Sequence, residues 1–228
     1  PAFAYELAVI LQDGMRRMFQ EQQPVFYYIT MYNETYVQPA MPDGATDGII
    51  KGMYRLSSGG GAAKGRPQLL GSGPILREVI RAQSILREQF KLDCDVWSVT
   101  SFNELRREAV AVERWNLLHP EEKPRVSYVE QCLGGGDGPI IAATDYMRLV
   151  PEQIARWIPG RLTALGTDGF GRSDARKELR RHFEVDAEHI AFATLSVLAR
   201  RGQLDAKIAR DARKQLGINA DAPDPQAM

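Results

Sequence analysis

Gln68-Leu69-Leu70-Gly71-Ser72-Gly73-Pro74-Ile75 decides the fold: a short apolar run ends in a glycine-rich turn and opens directly into an amphipathic stretch. Short apolar runs bounded by turn residues read as buried strands, whereas apolar residues three and four apart read as helices. The pattern therefore predicts a strand over Gln68–Leu70 and a helix over Ile75–Phe90. Reading outward to the C-terminus, the alternation repeats with strand 95–99, helix 102–118, an irregular or helical piece over 125–133, strand 139–143, helix 147–157 and strand 162–165. Helices over 174–183, 187–201 and 204–216 follow, and the tail 219–228 is expected to fray. Ser101 with Glu104 offers a capping box, Asp186 a second N-cap, and Gly202 a helix stop. Parallel strands need crossovers, usually helical. The expectation is thus an α/β fold, a three-layer, open, mainly parallel sheet with helices on both faces.

Toward the N-terminus, Phe3, Leu7, Ile10, Leu11, Met15, Met18 and Phe19 recur at helical spacing. Pro24 then precedes the aromatic and β-branched run Val25-Phe26-Tyr27-Tyr28-Ile29-Thr30, which reads as a buried strand. Met31 to Gly44 carries Pro39, Pro42 and Gly44 and reads as an extended bridge between domains. A helix over 45–51, a strand over 53–56 and a flexible, exposed loop over 57–61 come next. The division is residues 1–44, residues 45–218 and the tail 219–228. The entry into a helical pattern without Met suggests that the chain begins inside something longer.

The 228 residues carry 29 Lys and Arg against 29 Asp and Glu. A net charge of zero supplies no general attraction to nucleic acid or anionic lipid, so neither is an expected partner. No apolar run reaches bilayer-spanning length. Cys94 and Cys132 form no C-x-x-C pair and have no His at ligand spacing, which excludes a disulfide framework or zinc site and favours the cytoplasm.

Chemistry has few places to reside. Gly71-Ser72-Gly73 sits where a strand meets a helix N-terminus, where backbone N–H groups can hold an anion. Position 76 is Leu rather than the third glycine of a dinucleotide fingerprint, and a tight strand-to-helix turn explains the glycines equally. The Gly59–Gly65 loop contains Lys64 without the order of a P-loop. Asn33 and Glu34, placed just past the expected strand, are a polar pair that reads as acid or base if desolvated and as a turn with a paired Glu if not. Gly166-Thr167-Asp168-Gly169-Phe170-Gly171-Arg172-Ser173 follows a strand at the sheet's carboxyl edge, where ligands collect, making Asp168, Arg172 and Ser173 candidates. His119, His182 and His189 have no nucleophile at catalytic spacing. Arg172, Arg176, Lys177, Arg180 and Arg181 form a basic stretch that Asp174 and Glu178 are placed to neutralise.

Several motifs occur in order. Tyr27-Tyr28-Ile29-Thr30 with Asn33-Glu34 and Pro39-Ala40-Met41-Pro42, Leu69 to Gly73, Val99-Thr100-Ser101-Phe102, Glu113-Arg114-Trp115-Asn116 and Gly166 to Asp174 together resemble, nearly end to end, the C-terminal part of the homodimeric pyruvate dehydrogenase decarboxylating component. The resemblance implies a transketolase-type C-terminal domain over 45–218, preceded over 1–44 by the end of a pyrimidine-binding middle domain. It implies a longer enzyme that uses thiamine diphosphate and magnesium to decarboxylate pyruvate and acetylate a lipoyl group. Its implied partners are a second copy of its own chain and the dihydrolipoyl acetyltransferase component. The family's Gly-Asp-Gly and Asn-Asn magnesium pattern is absent from these residues. No catalytic or cofactor residue therefore carries over, and no cofactor is expected on these residues alone. The implied role is to support dimerisation and the active-site wall. Asn33, Glu34, Asp168, Arg172 and Ser173 are then candidates for the substrate entrance or the interface. Alternatives are an anion- or regulator-binding module at Gly71–Gly73 or Gly166–Gly171, and a module docking the acetyltransferase through Arg176–Arg181. An apolar patch along Phe3, Ile10, Met18 and Phe19 is expected to be exposed.

Overall fold

A computed structural model describes residues 1–60 and 65–227. Lys64, singled out in the glycine loop, lies outside the described residues, as does Gly61 at the end of the expected loop. In chain order, α1 spans Ala4–Met15, α2 Thr46–Lys51, β1 Met53–Ser57, β2 Gln68–Gly71, α3 Leu76–Phe90, β3 Asp95–Val99 and α4 Phe102–Leu118. Then come α5 Tyr128–Leu133, β4 Ile140–Ala143, α6 Leu149–Glu152, β5 Leu162–Leu165, α7 Arg176–His182, α8 Ala187–Arg200 and α9 Ala206–Gln215.

The five strands lie in the order β1-β3-β2-β4-β5. β2, β3, β4 and β5 are parallel, and β1 pairs antiparallel with β3 at the edge. Alternate residues of each strand enter opposite faces. Leu69, Val96 and Ile141 meet α3, α8 and α9 on one side. Leu70, Trp97, Ile140 and Ala142 meet α4, α5 and Ile154–Ile158 on the other. Two apolar layers of this kind are the main source of stability, at roughly 25 cal/mol per Å² of apolar surface removed from water. The layered α/β expectation therefore holds, with one antiparallel edge strand. The predicted caps also form: Ser101 accepts from Glu104 N–H at 3.1 Å and Asp186 from His189 N–H at 2.9 Å.

The departures have local causes. Residues 25–30 join no strand, and Phe26 and Tyr28 are 88% and 89% exposed, so the expected buried strand does not exist here. Strand-like composition cannot create a neighbouring strand. The helix expected over 147–157 shrinks to α6 and a 3-10 turn over Ala155–Trp157, separated by a turn at Gln153 and Ile154. The first helix becomes a π turn over Arg16–Gln20. The tail forms a last 3-10 turn at Pro225–Ala227, with Pro225 against Gly169. Phe3 is 4% exposed and belongs to the core, leaving Phe19, at 76%, as the strongly exposed member of the expected patch.

A buried carboxylate attaches α1 to the sheet. Glu6 is fully buried; its Oε2 accepts from Ala2 N–H at 2.5 Å and Phe3 N–H at 3.1 Å. Its Oε1 accepts from Tyr54 Oη at 2.7 Å and Ser98 Oγ at 2.5 Å. A buried charge is tolerable when every lone pair has a donor. Here two donors come from the start of the chain and two from β1 and β3.

The carboxyl edge of the sheet as candidate functional site

In an open parallel sheet, ligands bind outside the carboxyl ends of the strands where the connections diverge. That point lies between β2 and β4, because the chain leaves β2 for β3 on one side and returns to β4 and β5 on the other. Its walls are Gly71-Ser72-Gly73 and Thr144-Asp145. Ser72 Oγ and Thr144 Oγ1 bond each other at 2.8 Å, both buried.

The chain itself occupies part of the crevice. Gly73 has φ +52°, and a Cβ there would lie 2.9 Å from the Tyr32 ring. Tyr32 Oη donates to Asp145 Oδ1 at 3.3 Å, and Tyr146 Oη to Thr30 Oγ1 at 2.7 Å. Burial raises the Asp145 carboxyl above its ordinary range, with Tyr32 only partly offsetting it, and burial together with Asp145 raises the Tyr32 phenol. An aromatic ring stands where an anion would enter the Gly71–Gly73 turn. The glycines serve close packing.

The sequence candidates separate into two groups. Asn33 and Glu34 meet α3 and α7. Glu34 pairs with Arg77 at 2.8 Å and Arg180 at 2.5 Å, while Asn33 Oδ1 accepts from Arg176 Nη2 at 2.7 Å. Arg180 also reaches Glu78 at 3.2 Å, and Arg181 pairs with Asp186 at 3.1 Å. Arg176, Arg180 and Arg181 thus pair with Asn33, Glu34, Glu78 and Asp186, and not with Asp174 and Glu178 as expected. Burial opposes ionisation of Asp186, but bonds from His189 and Arg181 outweigh it and hold the carboxyl below its ordinary range.

Asp168 forms the second group: its Oδ2 accepts from Arg148 Nε at 2.6 Å and Arg148 N–H at 3.3 Å, and Arg148 Nη2 donates to Gln226 Oε1 at 3.1 Å. Gly169, φ +92°, lies against the tail, where a Cβ would stand 2.9 Å from the Pro225 carbonyl. Arg172 and Ser173 are exposed beside it. Arg180 belongs to the basic stretch that the sequence singles out, whereas Tyr32, Asp145, Arg77 and Glu78, which the structure brings beside the candidates, carry no local signal.

A cleft of about 510 Å³ opens from the crevice, lined by Tyr32, Ser72, Gly73 and Tyr146 together with α1, residues 25–30 and the start of α4. Within it Tyr27 Oη donates to Asp13 at 2.9 Å and accepts from Arg17 at 3.0 Å. Among the described residues no three His, Cys, Asp or Glu side chains gather to hold a metal. Burial raises both cysteine thiols, Cys94 to about 12, which disfavours the nucleophilic thiolate.

Comparison with known proteins gives a consistent result. Residues 52–186 match the family model "Transketolase-like TK C-terminal domain", and residues 1–39 match "Pyruvate dehydrogenase E1 component middle domain". The chain is 57% identical over 226 residues to the pyruvate dehydrogenase E1 component of Pseudomonas aeruginosa, covering 99% of this chain and 26% of that protein. It is 51% identical over 228 residues to that of Escherichia coli strain K12, covering 99% and 25%. The chain thus spans about a quarter of the length of these curated relatives. Among solved structures, a transketolase mutant from Pichia stipitis aligns at TM-score 0.49 and 18% identity, covering 74% of this chain and 21% of that one.

Proposed function

The chain belongs to the transketolase-like C-terminal domain family, within the pyruvate dehydrogenase E1 component, and from that premise we propose that it is the scaffold of a pyruvate-decarboxylating enzyme. The observation that supports this reading is how the polar groups of the crevice are engaged. At the position where a doubly wound sheet receives its ligand, Tyr32 is bonded to Asp145 and Ser72 to Thr144, partners within the chain.

Thiamine diphosphate would supply the carbanion-stabilising chemistry in the whole enzyme, with magnesium on its diphosphate. The residues described here do not fit that group. A magnesium–diphosphate needs free oxygen ligands, and the carboxylates nearest the edge are committed: Asp145 to Tyr32, Asp168 to Arg148, Glu34 to three arginines. This chain's part is to extend the homodimer interface and wall the active site, while reaction and acetyl transfer to a lipoyl group of the acetyltransferase use residues elsewhere in the enzyme. The exposed Phe26, Tyr28, Met31, Met147 and Phe170 near this edge support contact with further protein.

The test is complementation. The P. aeruginosa relative, shortened by the stretch matching this chain, should lose pyruvate turnover and its dimeric state in light scattering, and adding this chain should restore both. A shortened enzyme that keeps full turnover and stays a dimer would overturn the reading.

A further inference from the structure

Three guanidinium groups converge on one carboxylate. Glu34 Oε1 lies 2.8 Å from Arg77 Nη1 on α3, and its Oε2 lies 2.5 Å from Arg180 Nη2 and 3.8 Å from Arg176 Nε on α7. The side chains of Glu34 and Arg180 are only 15% and 14% exposed. Glu78 accepts from Arg180 behind this group, and is itself tied to Arg81 at 2.8 Å and to Ala187 N–H at 3.2 Å. Three cations therefore face Glu34, and one of them, Arg180, also meets Glu78. Forked guanidinium donors from rigid helices are the geometry that recognises tetrahedral or planar oxyanions.

The carboxylate that fills this cradle sits on a segment without regular structure. Among the described residues, residues 26–41 make no backbone-to-backbone hydrogen bond. The segment is held by side chains: Thr30 on Tyr146, Tyr32 on Asp145, Asn33 on Arg176, the Tyr36 hydroxyl on the Ala2 carbonyl, Gln38 on Ala4 N–H, and the Tyr36 ring beneath Arg77, 4.6 Å from centroid to guanidinium carbon. The cradle is carried by two helices, whereas its occupant lies on a segment without regular structure.

We propose that Arg77, Arg176 and Arg180 form an anion-binding site whose resident anion is the chain's own Glu34, and that a free phosphate-class oxyanion competes with Glu34 and releases residues 31–36 from the sheet. A dianion gains more than a single carboxylate from three cations, but Glu34 has the advantage of being tethered. The wild-type site is therefore masked, and removing Glu34 should unmask it.

The probe is inorganic pyrophosphate, titrated by calorimetry at constant ionic strength into the wild-type chain, Glu34→Ala, and Glu34→Ala combined with Arg180→Ala. The single variant should bind one pyrophosphate at least about tenfold more tightly than wild type, and the double variant should lose that site. Hydrogen exchange at residues 31–36 of wild type should quicken at saturating pyrophosphate. Glu34→Gln, which keeps side-chain volume, replaces the alanine variant if the latter does not fold. Absence of saturable heat in the Glu34 variant, wild-type affinity equal to it, or binding that survives loss of Arg180 would each overturn the site. Unchanged exchange at 31–36 would overturn the release.

Discussion

Replacing Glu6 by alanine removes the acceptor of four donors at once, and the structure separates those donors into two kinds. Ala2 N–H and Phe3 N–H can only donate, while the Tyr54 and Ser98 hydroxyls can turn and accept, and Tyr54 keeps the Tyr5 hydroxyl at 2.5 Å. Two backbone donors left buried cost roughly 1–3 kcal/mol each, and with the emptied volume the expected loss is about 3–5 kcal/mol. Glutamine can place its carbonyl on the backbone pair and its amide on the rotated hydroxyls, so Glu6→Gln should cost only about 1–2 kcal/mol. Urea denaturation followed by circular dichroism reads the difference. With a slope of roughly 2–3 kcal/mol per molar urea, the alanine midpoint should fall by more than about 1 M and the glutamine midpoint by about half that. An alanine midpoint within about 0.3 M of the parent, or a glutamine variant worse than alanine, would refute the reasoning that Glu6 holds α1 to the sheet.

Asp145→Asn should raise the melting temperature at about pH 7, because the folded carboxyl is raised by burial and its charged form costs stability once pH passes the folded pKa. The gain should vanish below about pH 4, where aspartate is protonated folded or unfolded; an equal effect at both pH values would contradict it. Asp95 and Asp186 behave oppositely. Burial opposes their ionisation, but Arg66, Gly59 N–H and Gln68 around Asp95, and His189 and Arg181 around Asp186, hold them below the ordinary range. Their stabilisation is present above about pH 4 and lost as pH falls through the lowered folded values, so Asp186→Asn should flatten the acid limb of a stability–pH curve. Gly73→Ala forces a positive φ on a side chain and pushes Tyr32 outward. It should cost about 1–2 kcal/mol and open residues 24–40 to limited proteolysis, whereas Ser72→Ala should leave that cleavage unchanged.

How far the sequence went depends on the range of the signal. Strands such as Gln68–Gly71 and Asp95–Val99 are read correctly because each is a local apolar run between turns, buried on both faces, with a helix following at once. The Ser101 and Asp186 caps are legible for the same reason, since donor and acceptor lie three residues apart. Val25–Thr30 has strand composition too, yet composition holds no information about whether a neighbouring strand is there to pair. The site is harder still. Glu34 and Arg180 are separated by 146 positions and Tyr32 and Asp145 by 113, so nothing local distinguishes Glu34 from a solvated turn residue or Arg180 from a surface arginine. Asn33 and Glu34 are candidates because they follow a strand-like run and Asp168 because it follows a strand at the carboxyl edge; the partners of all three lie out of reach of local sequence.

The central claim, that these residues brace a decarboxylase and hold none of its reacting groups, is tested most directly by one rate. The 228-residue chain, given thiamine diphosphate, magnesium, pyruvate and an artificial electron acceptor, should reduce the acceptor no faster than buffer. Pyruvate-dependent turnover by this chain alone would contradict the account.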